Sequence, residues 1–309
     1  MLEDILELEK FSPRQMSNEH KAGAFIKRNL DKCNVAYTIQ KFKSSLPSYK
    51  QYGLMADGER IDCMPTALRS GIISDKNLIS SMAVSGRYYE EPNINFNPYS
   101  NVISLATFYR APSLAIGRKD VQRVIDAQQI KGHVQVEKRA HTCENILTGN
   151  IKNPKSIVIV HYDSVLNGAD DDASGVAMLL ELIRRGAGKR NMLVFAGCEE
   201  LSFDEPIYWG KGYRELERKY ARLMLLAKRI IAVDMIGSGM PGVVRDPKLR
   251  LAAFPISNPN LFKKSTVVGT LGHEWFSQYH TINDKFSNVK LRYLNKGLDL
   301  VSKMIRTAN

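Results

Sequence analysis

The chain has 309 residues, 44 % hydrophobic and 25 % charged, the balance of a globular protein with room for two domains. It has no apolar run of about 18 residues to span a membrane, and its acidic, leucine-containing start (MLEDILELEK) lacks the basic-then-apolar order of a secretory signal, so a cytoplasmic location is expected. The formal charge of +12 comes from 44 Lys and Arg against 32 Asp and Glu; the basic residues are scattered outside any recognition motif, which favours a solvated surface and argues against a nucleic-acid partner.

In chain order, SNEHKAGAFIKRNLDK (17–32) predicts a helix capped by Ser17 or Asn18, with Ala24, Phe25 and Leu30 on its apolar face. VAYTIQKF alternates as a strand. YGLMADGERIDCM predicts two strands joined by a tight Asp57-Gly58 turn. GIIS, NVISLATF and APSLAIG follow as short strands, RKDVQRVIDAQQI as one helix and GHVQVEK as a strand. From there the texture becomes regular. ENILTGN, SIVIVH, NMLVFAG, RIIAVDMIG and STVVGTL read as strands, alternating with helices in DASGVAMLLELIRRG, YWGKGYRELERKY and KLRYLNKGLDLVSKMI. Leu291, Leu294, Leu298, Val301 and Ile305 mark one stripe of the last helix. Continuous apolar strands between helices predict an α/β fold with a mainly parallel sheet covered on both faces. A β-rich unit over about 46–143 is expected to interrupt a domain made of 1–45 and 144–309.

Four cysteines, Cys33, Cys63, Cys143 and Cys198, form no CxxC pair, so no structural zinc site is indicated and reduced thiols are expected. Cys198 lies beside Glu199 and reads as a small residue filling space at a strand end.

The chemistry-bearing stretch is HYDSVLNGADDDASG (161–175), directly after the apolar SIVIV. Carboxylates at the end of a buried strand repel one another and resist desolvation, so a cation is expected among them. DDDASGVAMLLE fits the calcium-loop spacing at Asp170, Asp172, Ser174, Gly175 and Glu181. That loop needs a helix upstream, and SIVIV is a strand; GVAMLLELIRR also reads as helix too early to leave room. The alternative is topological, because ligands of a parallel sheet bind beyond the carboxyl ends of its strands. SIVIV runs into His161 and Asp163, NMLVFAGC into Glu199 and Glu200, and IIAV into Asp234, while the loop after STVVGTL carries His280 and Asp171 lies just past the first strand. Two histidines with three carboxylates suit zinc better than calcium, and they match two zincs sharing one carboxylate at about 3.5–4 Å. Neighbouring side chains of an extended Glu199-Glu200 point opposite ways, so one can bind metal while the other stays free as a base.

HYDS…GADDDASGVAMLLEL, VFAGCEEL, AVDMIGSG and YHTINDKFSNV resemble, in order and spacing, the co-catalytic zinc exopeptidases of metallopeptidase family twenty-eight, over roughly 144–309 plus the first helix and strand. The resemblance implies a mixed, mainly parallel sheet sandwiched by helices. It implies His161 as a zinc ligand, Asp163 as the acid that orients it, Glu199 as general base and Glu200 as a ligand. It places the bridging carboxylate three residues after Gly168, at Asp171, and completes the set with Asp234 and His280. The implied cofactor is two Zn2+ per chain, with Co2+ or Mn2+ able to occupy the same donors. One metal is expected on His161, Asp171 and Asp234, and the other on Glu200, Asp171 and His280. The 46–143 segment is similar to a protease-associated insert. Two family features are missing: Cys198 stands where many members have Gly, and LSFDEPIYWGKG and FPISNPNLFKKSTVVGTLGHEW replace the usual pocket segments.

The expected activity is hydrolysis of peptides, most simply as an aminopeptidase, with Tyr279 or His273 as candidate donors to the oxyanion. A carboxypeptidase, in which Arg245 or Lys263 would hold the substrate carboxylate, is the first alternative. A single-zinc glutaminyl cyclase and a non-catalytic module like the transferrin receptor are the others. The residue preferred at the cut site and the oligomeric state are not encoded in any motif.

Overall fold

The computed structural model describes residues 1–83 and 88–307, which divide into two units. The first unit holds Met1–Ser44, His141–Trp275 and the residues from Asp284 onward; the second holds Ser45–Ala140 and Phe276–Asn283. The chain runs α1 (Leu2–Glu9), α2 (Ser17–Lys32), β1 (Tyr37–Ala56), β2 (Glu59–Ile61), β3 (Cys63–Pro65), β4 (Gly71–Ile73), β5 (Leu78–Ser80) and β6 (Asn93–Phe96). It continues through β7 (Ser113–Ile116), α3 (Val121–Asp126), β8 (Ile130–Gly149), β9 (Ser156–His161), α4 (Ala173–Arg184), β10 (Met192–Ala196) and α5 (Lys211–Leu226). The last elements are β11 (Arg229–Val233), β12 (Pro241–Val244), α6 (Pro247–Ala253), α7 (Pro259–Lys264), β13 (Ser265–Thr270) and α8 (Leu291–Arg306).

In the first unit the strand order is β12-β13-β11-β9-β10-β8-β1. The apolar runs read from the sequence form its centre: β13, β11, β9 and β10 are parallel, flanked by antiparallel β12 and β8. Alternate residues of the central strands feed two separate cores, as a strand's period of two requires. Val158, Val160, Leu193, Phe195, Ile231 and Val233 pack with Ile5, Ile26, Val176, Leu180, Leu294 and Leu298 from α1, α2, α4 and α8. Ile157, Ile159, Met192, Val194, Ile230 and Ala232 pack with Tyr213, Leu216 and Met224 of α5 and Leu261 of α7. Each such side chain, fully removed from water, contributes about 1.5–3 kcal/mol, which fixes the register and so the level at which the strands end. Leu291 falls at the exposed start of α8, 46 % accessible, while Leu294, Leu298 and Val301 of the same stripe are buried.

The start of α4 decides the calcium question. β9, not a helix, leads into the acidic turn, and α4 begins at Ala173. Asp172 is its N-cap, accepting from Gly175 N at 2.9 Å, and Glu181 is spent on Arg185 at 2.9 Å. At α2 the expected polar cap is not used: the N-cap is Met16, and Ser17 is already helical.

The second unit contains the distal parts of β1 and β8, each a single strand of 20 residues where the sequence predicts shorter pieces. β2 pairs with β1 across the Asp57-Gly58 turn, and β4 pairs with β8. Asp57 and Gly58 have φ of 49° and 84°, the paired positive values of a two-residue type I′ turn. A separate four-stranded sheet has the order β3-β7-β6-β5. NVISLATF forms no strand, only an isolated bridge from Ser104 to Thr281. The segment Phe276–Asn283, read from sequence as part of the 144–309 domain, is held inside this second unit. Asn97 Nδ2 donates to Phe276 O at 2.7 Å, Ser104 Oγ to Tyr279 O at 2.7 Å and Leu105 N to His280 O at 2.9 Å.

Candidate metal centre

β9 lies between β10 and β11, with Ala196 in register with His161 and Ala232 with Ile159. The three strands therefore release His161, Glu199-Glu200 and Asp234 at one sheet edge. His161 Nε2 is 3.1 Å from Asp171 Oδ1 and 3.7 Å from Asp234 Oδ1. Its other nitrogen, Nδ1, is 3.7 Å from Asp163 Oδ1. The ring thus turns one nitrogen to the donor cluster and the other to a supporting carboxylate, the usual arrangement of a metal-binding histidine. A His161 nitrogen and one oxygen each of Asp171 and Glu200 lie within 4.8 Å of one another, as do those of His161, Asp172 and Asp234.

Asp163 does more than face the ring. Its two oxygens accept the amides of Glu199 and Glu200, each at 2.9 Å. One buried carboxylate therefore sets both the β9 and the β10 contributions. Glu199 is 6 % accessible, and its Oε1 has no hydrogen-bond partner.

The crowded acidic turn resolves into separate tasks. Asp170 turns away from His161 and accepts Gly237 N at 2.5 Å and Ser238 N at 3.2 Å, pinning the loop after β11. Asp171 faces His161 Nε2. Asp172 caps α4 and accepts Met235 N at 3.3 Å through Oδ1, while its buried Oδ2 makes no hydrogen bond. Gly168 is needed for close approach, since a Cβ there would collide with Asp171 O and lie 2.6 Å from Ser164 Cβ.

Two residues to which the sequence assigned no role hold this turn. Asp284 accepts Asp170 N at 2.7 Å and Asp171 N at 3.0 Å. Arg14, fully buried, donates to the carbonyls of Tyr162 (2.7 Å), Asp171 (3.1 Å) and Asp163 (3.4 Å). Its placement left no sequence signal, because the contacts span about 150 residues of chain and Arg14 lies in an aperiodic link between α1 and α2. Tyr213 of α5 is a third such residue: its buried hydroxyl lacks a hydrogen-bond partner, and it interacts electrostatically with His161, Glu199 and Asp234.

Burial raises the Glu199 carboxyl well above its usual range, and the nearby Glu200, Asp163 and Asp234 add to the rise. Burial raises Asp172 and Asp284 likewise, and takes Asp170 to about 6. At His161 burial opposes the charged ring, but Tyr213, Asp163, Asp171 and Asp234 outweigh it, and the pKa is raised. The shared cause is negative charge packed out of water, which a divalent cation relieves. The donor set of imidazole and carboxylates suits a zinc-class ion.

Of the residues expected from sequence, His161, Asp163, Asp171, Glu199, Glu200 and Asp234 all belong to the first unit, the donors around His161 and Asp163 beside the two glutamates. His280 belongs to the second unit; it is buried with φ of 51°, its Nδ1 is 3.0 Å from Leu105 O, and its ring stacks on Tyr279 at 3.9 Å. His273, Arg245 and Lys263 are exposed. Asp163→Asn is expected to loosen bound metal about 10–100-fold, because the amide keeps only one of the two oxygens that accept the Glu199 and Glu200 backbone N–H groups. Metal-buffered titration checks this, and unchanged affinity would remove Asp163 from its supporting role.

Residues 146–251 match the model of Peptidase family M28, a span that includes His161, Asp163, Asp171, Glu199, Glu200 and Asp234 and ends before His280. The fold is similar to that of a zinc aminopeptidase from Bacillus subtilis, at a TM-score of 0.66 and 15 % identity, covering 99 % of this chain and 94 % of that one. A peptidase M28 precursor from Shewanella amazonensis gives 0.70 at 12 % identity, covering 99 % and 92 %. Porphyromonas gingivalis glutaminyl cyclase gives 0.54 at 13 % identity, covering 100 % and 97 %. At these identities the likeness is one of fold. No curated protein matches the chain at a significant level. Over residues 146–251 the chain is thus similar to peptidase family M28, and its fold is similar to those of the zinc aminopeptidase and glutaminyl cyclase structures.

Proposed function

We propose that the protein is a metal-dependent exopeptidase, an aminopeptidase, with Glu199 as its general base. The observation that carries this reading is the buried Glu199 carboxylate. Its Oε1 is left without a hydrogen-bond partner, beside a donor cluster that Asp163 aligns. His161, Asp171 and Asp234 would hold one divalent cation. Glu200 and Asp171 would hold a second, with His280 assigned to it on the sequence resemblance alone. The bound metals supply positive charge that acidifies a water and polarises a carbonyl. Glu199, with its pKa raised by burial, accepts a proton from that water and returns it to the departing amine. Asp163 and Arg14 hold the backbone so that neither His161 nor the glutamate pair has to reorganise as charge develops.

Paired substrates test the reading: one peptide series blocked at the amino end, one blocked at the carboxyl end, and a peptide beginning with glutamine. Hydrolysis of peptides with a free amino end, lost on chelation and restored by zinc, is the expected result. Cleavage confined to amino-blocked peptides indicates a carboxypeptidase. Ring closure of the amino-terminal glutamine indicates a cyclase, and no turnover with metal bound indicates a binding module.

A further inference from the structure

We propose that Glu19, His141 and Cys143 form an additional site for a zinc-class transition metal, built from donors outside the cluster around His161. The residues come from two elements of the first unit. Glu19 lies in the first turn of α2, and His141 and Cys143 lie two apart on β8, where alternate side chains share a face. All three are buried, at 1 %, 7 % and 0 % accessibility. A carboxylate oxygen, an imidazole nitrogen and the thiol sulfur lie within 4.8 Å of one another.

The carboxylate is the independent observation. Glu19 Oε2 is 2.5 Å from His141 Nε2, but Oε1 is buried with no hydrogen-bond partner, although the Cys198 amide faces the carboxylate. A neutral imidazole cannot satisfy both oxygens of a buried carboxylate. The Cys143 thiol lies against that of Cys198, with Phe42 closing the apolar wall. Sulfur, nitrogen and carboxylate oxygen together match zinc and its neighbours, and exclude calcium and magnesium, which take oxygen donors. The ring of exposed His20 stacks on His141 at 4.9 Å. A CxxC pair would not be the signal of such a site, because its donors come from a helix and a distant strand.

Cobalt titration of the metal-free full chain tests the site. The cluster around His161 offers only nitrogen and oxygen, so a thiolate-to-cobalt charge-transfer band reports this site alone and does not depend on peptidase activity. One cobalt per chain is expected to carry that band. Cys143→Ser is expected to abolish it, and His141→Asn to weaken the band-forming affinity by at least about 100-fold, more than loss of a residue that merely supports a ligand. Glu19→Gln, expected to weaken it likewise, serves if the cysteine variant does not fold. Wild-type protein saturated with cobalt but lacking the band overturns the proposal, as does a band that survives Cys143→Ser or is unchanged in Glu19→Gln. Loss of hydrolysis alongside an intact band would count against the exopeptidase reading and leave this one standing.

Discussion

Glu199→Gln is expected to lower kcat by about 10²–10⁴-fold, the range that a positioned general base contributes, while metal content stays at the wild-type level. The amide is the same size and keeps the backbone bond from Glu199 N to Asp163 Oδ1. It cannot accept a proton at neutral pH, so the loss should fall on the chemical step with KM little changed. The buried carboxylate sits among Glu200, Asp163 and Asp234. Removing one negative charge from that group relieves repulsion, so the variant should be at least as stable as the wild type. Steady-state kinetics, metal analysis and thermal unfolding together check this. Near-normal turnover at full metal loading would take Glu199 out of the mechanism.

The largest expected loss of stability comes from Arg14→Met. Methionine keeps most of the length and apolar volume but none of the donors. The carbonyls of Tyr162, Asp163 and Asp171 lose a charged partner, and the carboxylates of Asp284 and Asp163 lose a nearby positive charge. Breaking a buried charged contact in this way costs about 3–5 kcal/mol, a fall in Tm on the order of 10 °C. Arg14→Lys should recover little of it, because a single ammonium cannot reach three carbonyls in the plane of a guanidinium. Calorimetry of the three proteins decides the matter. A methionine variant as stable as the wild type would mean that water replaces the guanidinium.

The mainly parallel sheet and the edge at which its strands deliver His161, Glu199, Glu200 and Asp234 were legible because SIVIV, NMLVFA and RIIAV are wholly apolar after their first residue. Such runs have one reading in a parallel sheet. The Asp57-Gly58 hairpin was legible for a local reason as well, since both turn residues adopt the positive φ their types favour. Division of labour within Asp170-Asp171-Asp172 was not legible from spacing, because around a tight turn consecutive side chains point in unrelated directions. Only the resemblance singled out Asp171. Arg14, Asp284 and Tyr213 were missed for another reason: each acts across a long stretch of chain, and an isolated charged or aromatic residue has no periodicity to reveal what it will meet. The long strand β8 was cut short in the reading because its exposed, polar middle looks like loop when taken alone, and β1 because Ser44, Ser45, Pro47 and Ser48 break its alternation.

The acidic turn is shaped by bonds in which no ion takes part. Asp284 grips the amides of Asp170 and Asp171, Arg14 grips the Asp171 carbonyl, and Asp170 ties the turn to Gly237 and Ser238. The turn is therefore held from three sides by protein groups. On the proposed reading, swapping one divalent ion for another would be an exchange at a rim these bonds already hold, and the choice of ion would follow supply and donor preference rather than any refolding of the chain.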